Sequence, residues 1–418
     1  MIRRVPAWLS LFALWALCLP VGAAPAVDET AAVDEAAAVF DRRESAELDR
    51  LVRDVCRKDI VLLGEDANHG GGRTLEVKVE LVRRLTTRCG FGGVLFESQF
   101  YDLLDEAHAV EAGTARAQGL ADVIGPLWSR AREAQPLIRF LHRERIAGRL
   151  RVGGIDPQVG GIDGAYSRKR LASTLASLLD AGPRRDACAI ELQRHNDWRY
   201  DDASPFDDAA RERLRACGEE IRAAAIRTAA TADSDAAAID PERAMMAAAY
   251  ARYLGMALDG DGDQRDLGMF ELLQWHRARW PRGTKLIVWC ATVHAARRLD
   301  GVAPDMRSMG TRLHARHGAR MAVVGFTALG GAFGSPGGRG AAIPLPRAVD
   351  ASLETAVLDD DGPDLRYVDR KRLRRLGTIA ARPINYRTVH AAPWGEYLDA
   401  VIVLREERPV VRADAPTR

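Results

Sequence analysis

Glu65 and His69 stand four residues apart in the segment Gly64-Glu65-Asp66-Ala67-Asn68-His69, directly after the apolar run Ile60 to Leu63. An imidazole within reach of a carboxylate suits general-base activation of water. The carboxylate holds one ring nitrogen, fixes the tautomer and leaves the other nitrogen to take a proton. It also raises the imidazole pKa from its ordinary value of about 6.5, because the anion favours the cation. Glu97 follows the apolar run Gly93 to Phe96 and is a second acid able to orient His69. His294 ends the segment after Lys285 to Trp289, and with Lys78 it is placed to donate to a developing oxyanion. Asp156 follows Leu150 to Ile155. Each of these residues alone also reads as a turn residue, a helix cap or a surface ion pair. Four apolar runs delivering acids and imidazoles together point to a working site.

The runs that carry these residues are short and continuously apolar, and Met321 to Phe326 and Ala400 to Leu404 repeat the pattern. Continuous rather than alternating hydrophobicity fits strands buried on both faces, as in a parallel sheet. Between the first two runs, Leu75, Val79, Val82 and Leu85 recur at helical spacing, which completes a βαβ unit. The expected fold class is therefore α/β, a mostly parallel central sheet flanked by helices. In such sheets ligands bind at the carboxyl ends of the strands, where the acids and imidazoles fall. Residues 167–256 carry Ala- and Arg-rich helical patterns without a strand and read as a helical insertion, with a break near Asp201 to Pro205. Gly330 to Gly340 reads as a flexible loop.

Arg3 and Arg4, the apolar stretch Ala7 to Ala24 and the small residues around Ala24-Pro25-Ala26 form the pattern of a secretion signal over residues 1–26. The remaining chain, 27–418, is expected to be one elaborated domain, periplasmic or secreted, without a stable membrane anchor. The chain has 60 basic and 58 acidic residues. Without the two leader arginines the signs balance, which argues against a dedicated nucleic-acid partner. A small-molecule substrate is the expected partner, and the sequence does not fix the oligomeric state. There is no phosphate-binding loop and no dinucleotide fingerprint, so no cofactor is expected. His69-Gly70-Gly71-Gly72 lacks the G-x-S-x-G elbow that a serine hydrolase would need. No HExxH motif or close His pair supports a metal site, and the acidic run Asp259, Asp261, Asp263, Asp266 departs from a calcium loop at Gln264 and Phe270. Cys56 and Cys89 each lie four residues before an apolar run. If those strands are parallel neighbours, the two cysteines sit at similar heights and can pair. Cys188 and Cys217 can pair within the insertion, and Cys290 is left reduced.

In the order of its motifs the chain resembles the erythromycin esterase family from about residue 45 to 410. The resemblance rests on Gly64-Glu65, His69-Gly70, Lys78, Val94-Leu95-Phe96-Glu97 and Gly154-Ile155-Asp156. It continues through Arg265-Asp266 with Met269, Lys285-Leu286-Ile287-Val288-Trp289 leading to His294, Met309-Gly310 with Leu313, and Asp399 to Pro409. It implies an ester or lactone hydrolase, with His69, Glu65, Glu97 and His294 catalytic and Lys78, Asp156 and Arg265 toward the substrate. Two departures stand out. Three residues separate Glu65 from His69 where the family has two, and Ala291 and Thr292 replace a family His and Asn. These departures detach the fold assignment from macrolide cleavage. Two other readings remain beside the hydrolase: a periplasmic ligand- or haem-binding protein of the same fold, and a metal-dependent hydrolase or peptidase. Export by a bacterial host should give a mature chain that begins after Ala24 or Ala26. Intact-mass measurement checks this, and a product still starting at Met1 contradicts it.

Overall fold

Continuous apolar runs become strands buried on both faces. In the computed structural model, which describes residues 40–414 apart from 161–162, 199–203, 205, 231–239 and 339, β1 (Ile60–Glu65) is buried along its whole length. The expected secretion signal lies outside the described residues. The other strands are β2 (Phe91–Gln99), β3 (Arg151–Asp156), β4 (Lys285–Ala291), β5 (Met321–Phe333), β6 (Ile343–Leu345), β7 (Leu365–Asp369), β8 (Ile379–Ala381), β9 (His390–Ala392) and β10 (Ala400–Glu407). The main sheet has the order β3-β2-β4-β1-β5-β10-β7, with β6 on β5. All pairs from β3 to β10 are parallel, whereas β7 and β6 run antiparallel to their neighbours. The fold is thus the expected mostly parallel sheet flanked by helices.

Strand parity decides which helices each side chain meets. Val61, Leu63, Ile287 and Trp289 pack with Leu48, Leu75, Leu81 and Trp128 on one face. Ile60, Leu62, Leu286 and Val288 pack on the other with Leu192, Tyr250 and Leu272. Between β3 and β4 the described elements are all helical, from Tyr166–Lys169 through Pro183–Asp197, Asp208–Ala230 and Pro241–Asp259 to Gly262–Arg279. Among the described residues no helix is long and apolar enough to cross a membrane.

Several local expectations change. Glu65 and Asp156 are the last residues of their strands, and Glu97 lies inside β2. Gly330 to Gly340 is less of a loop than its composition suggests, because β5 runs on to Phe333 and pairs with both β10 and β6. Glycine is required there for closeness: a Cβ on Gly331 would sit 2.1 Å from the Glu407 carbonyl. Strands β6 to β9 escape the sequence pattern, since β6, β8 and β9 are only three residues long and β7 is interrupted by Arg366 and Asp369.

Cys56 pairs with Cys89 and Cys188 with Cys217, at Cα separations of 5.2 and 5.5 Å, and Cys290 is free and buried. The pairing is as expected but the adjacency is not, since β4 lies between β1 and β2. The first residue of β4 serves the bridge instead: the Lys285 ammonium donates to the carbonyls of both Cys56 and Cys89. The bridge closes a sequence separation of 33 residues. Chain entropy alone makes such a crosslink worth about 3–4 kcal/mol. Cys56→Ser should therefore lower unfolding stability by about that much in urea titration. An unchanged midpoint would show that the bridge contributes nothing.

Candidate active site

The first cluster forms at the top of β1. Glu65 shares strand parity with Val61 and Leu63, so it faces the helix Gly72–Cys89 and Trp128. Its Oε1 accepts from Trp128 Nε1 at 2.7 Å and pairs with His69 Nδ1 at 2.9 Å, while Oε2 lies 3.1 Å from Lys78 Nζ. Burial works to raise the Glu65 carboxyl, but Lys78 and His69 outweigh it and hold it below its ordinary value. Lys78 is wholly enclosed, with its ammonium 4.1 Å from the centre of the Trp289 ring. Burial lowers its pKa despite Glu65. His69 stacks edge-on against Trp128, with ring centres 5.3 Å apart. Burial would lower the imidazole pKa, yet the Glu65 bond and the charges of Glu65 and Glu97 raise it overall.

A four-residue step brings His69 back over Glu65 because the intervening turn is tied. Asp66 accepts from Asn68 N at 3.0 Å and from Tyr386 N at 2.7 Å, and His69 N donates to the Asp66 carbonyl. His69 itself adopts φ 53°, the left-handed region, which costs a β-carbon residue about 1–2 kcal/mol. Close packing of the next two residues opposes that cost. A Cβ on Gly70 would lie 1.8 Å from the Gly334 carbonyl, and one on Gly71 would lie 2.6 Å from Glu407 Oε2. The glycine run thus lets the turn press against the ends of β5 and β10. Glu407 then accepts from Arg73 N at 2.8 Å, Thr74 Oγ1 at 2.6 Å and the Tyr386 hydroxyl at 2.8 Å. A buried carboxylate so placed caps the helix Gly72–Cys89, whose Gly71 cap has no side chain to do it.

The second cluster comes from the other helical layer. His294 lies in the short helix Thr292–Ala295 after β4, and its Nδ1 is 2.9 Å from Asp266 on the helix Gly262–Arg279. Asp266 also accepts from Met309 N at 2.7 Å. His294 Nε2 lies 3.0 Å from Arg265 Nη1 and 3.4 Å from Glu97 Oε1. Burial opposes the imidazolium, but Glu97 and Asp266 outweigh Arg265 and raise the His294 pKa. Glu97 accepts from Ala291 N at 2.8 Å and from Arg265 at 2.9 Å. Although burial pushes the other way, His294 and Arg265 bring its pKa down to about 2. Asp156 holds Arg265 from the far side at 2.7 Å. The Arg265 side chain nevertheless keeps 23 % exposure, more than any of the acids around it.

Six of the seven residues expected at the site lie on the neighbouring strands β3, β2, β4 and β1 or on the segments that follow them, and Arg265 joins them from the start of the helix Gly262–Arg279, in two connected groups. Glu97 acts electrostatically on both imidazoles. Three expected placements change. Glu65 alone bonds His69, while Glu97 serves Arg265 and His294. Lys78 and Asp156, read as facing substrate, are enclosed and instead hold Glu65 and Arg265. Sequence reasoning misses Asp266, Trp128 and Trp289 as members of the site. Asp266 is hidden in the acidic run, whose other members do different work: Asp261 caps a helix and Asp263 pairs with Arg312. Among the described residues no three or more His, Cys, Asp and Glu side chains are grouped to hold a metal ion.

The sequence matches the family model described as erythromycin esterase over residues 86–407. No curated protein matches it significantly. Among solved structures it is similar to a mutant of the erythromycin esterase EreC in its open conformation, at TM-score 0.65 and 17% identity, covering 88% of this chain and 96% of that one. A succinoglycan biosynthesis protein superposes at TM-score 0.65 and 16% identity, covering 93% and 99%. A Bacillus cereus protein does so at TM-score 0.64 and 16% identity, covering 88% and 94%.

The geometry predicts the direction of one titration. Glu65→Gln removes the anion that raises the His69 pKa but leaves the burial that lowers it. The His69 pKa, followed by NMR, should fall from above about 6.5 in the parent to below it in the variant. A value that does not move would break the assigned pairing.

Proposed function

The chain belongs to the erythromycin esterase family, and from that premise we propose that it hydrolyses an ester or lactone with water activated by His69. The observation that carries this reading is the Glu65–His69 contact of 2.9 Å. It commits Nδ1–H to Glu65 and turns the lone pair of Nε2 outward, with no hydrogen-bond partner for Nε2 among the described residues. Trp128 and Lys78 keep the carboxylate ionised and fixed, so the imidazole is oriented before substrate arrives.

In the proposed reaction His69 Nε2 takes a proton from water as the water oxygen attacks the carbonyl carbon. The carbonyl π electrons move to oxygen, Arg265 donates to that oxyanion, and His294 behind it adds positive charge. Arg265 is the partly exposed member of the second cluster, and His294 is biased toward the cation by Glu97 and Asp266. Collapse of the tetrahedral intermediate breaks the C–O bond, and the imidazolium of His69 returns its proton to the leaving alcohol. The products are an acid and an alcohol. Glu65 stabilises the imidazolium between these steps.

Ala291 pairs with Glu65 in the β1–β4 register, so a methyl group stands where the family resemblance places an imidazole. A macrolide is therefore not the proposed substrate; a smaller ester or lactone fits a site with one imidazole on this side. Export belongs to the same proposal and rests on the N-terminal sequence and on the two disulfides, which favour an oxidising compartment.

His69→Ala should lower kcat about 10²–10⁴-fold on a panel of esters and lactones while leaving the unfolding midpoint nearly unchanged. His294→Ala should cost less, because it removes positive charge beside the oxyanion but leaves the donor Arg265. Activity should rise with pH through a pKa above about 6.5, because the base works unprotonated and Glu65 raises its pKa. A His69→Ala protein that keeps most of its turnover ends this mechanism.

A further inference from the structure

Around the start of β10, two strands over from β1, the structure gathers positive charge with little to balance it. Asp369 ends β7 and pairs with Ala400, the first residue of β10, so the helix after it, Arg370–Leu376, lies at the edge where the parallel strand β10 begins. Arg370, Lys371, Arg374 and Arg375 fall one helical turn apart in two pairs, and they line a shallow cavity of about 480 Å³. Arg370 lies 4.0 Å from Asp399 and Arg374 lies 3.2 Å from Glu396. Lys371 and Arg375 have no acidic partner among the described residues. Asp369 caps the helix, accepting from Arg372 N at 2.7 Å.

Beneath this face lies Arg297, a guanidinium with 4% residual exposure. It donates through Nη2 to the same Asp399 oxygen that Arg370 approaches, and its Nε and Nη1 have no partner among the described residues. Asp399 is already committed elsewhere, because its other oxygen accepts from Val323 N at 2.9 Å. Five cations thus face two carboxylates, Asp399 and Glu396. Their mutual repulsion is felt locally: burial lowers the Arg370 pKa, and Arg297 adds to the fall. Buried guanidinium donors left unmade are costly, and the planar fork suits the oxygens of a phosphate group.

We propose that this face binds a small, multiply charged oxyanion, a phosphate monoester or diphosphate, held by Arg297 and Arg370 with Lys371, Arg374 and Arg375 around it. A monocarboxylate would leave most of the excess charge unbalanced. A phosphate group supplies up to about two charges and three acceptor oxygens. Among the described residues no hydrogen bond or ion pair joins these five side chains to Glu65, His69, Glu97 or His294, so the occupant is a second ligand and not the ester.

Isothermal titration of the full chain with inorganic pyrophosphate, at about 50 mM salt, tests this. One ion should bind per chain, and affinity should fall steeply as salt rises. The double variant Lys371→Glu, Arg375→Glu should bind at least about tenfold more weakly, since it reverses two exposed charges while leaving packing untouched. Arg297→Lys, which keeps the charge and loses the fork, should also weaken binding. Absence of binding heat, or equal affinity in the double variant, overturns the proposal. So does a chain that pellets with phosphatidylglycerol vesicles but ignores pyrophosphate, since that marks a membrane contact instead.

Discussion

The active edge depends on one buried carboxylate. Glu65 is 2% exposed, and an ion taken so far out of water is stable only if its lone pairs are filled. Three donors fill them, each from a different part of the chain: Trp128 from a short helix, His69 from the turn, and Lys78 from the crossover helix. Lys78 is in turn accommodated by the face of Trp289 on β4. The side chains that make burial tolerable are therefore the ones that set the tautomer of His69. Burial of the carboxylate and orientation of His69 rest on the same contacts, so neither can be altered without the other.

Strand parity distributes the rest. The Glu65–His69 pair belongs to the layer of the helix Gly72–Cys89, and the Asp266–His294 pair to the layer of the helix Gly262–Arg279. Each layer contributes one imidazole and its own carboxylate, and Glu97 on the strand β2 acts on both. One pair leaves a ring nitrogen open while the other closes both of its nitrogens against charged partners. That asymmetry separates the group suited to exchanging a proton from the one suited to holding positive charge.

Much of this is legible in the sequence. Strands buried on both faces announce themselves by continuous apolar runs, and the acids ending those runs stand out for that reason. Glu65, Glu97, Asp156 and His294 all fall out of this logic. Partnership is not legible. Glu65 and Glu97 are equivalent in sequence terms, and only the β1–β4–β2 order, with the later strand inserted between the earlier two, gives His69 to one and His294 to the other. The same insertion changes the reason for the Cys56–Cys89 bridge. Asp266 is obscured because its neighbours Asp261 and Asp263 serve the helix end and Arg312. The glycines after His69 look like slack, yet Gly70 and Gly71 are small because Gly334 and Glu407 press against them.

The cap on the crossover helix ties the beginning of the domain to its end. Arg73 and Glu407 are 334 residues apart, and Tyr386 joins the same knot. The turn that carries His69 therefore reaches its full set of contacts only when β10 docks against the helix Gly72–Cys89. Removing that strand would leave β1 and Glu65 in place but strip the cap that steadies the turn above them.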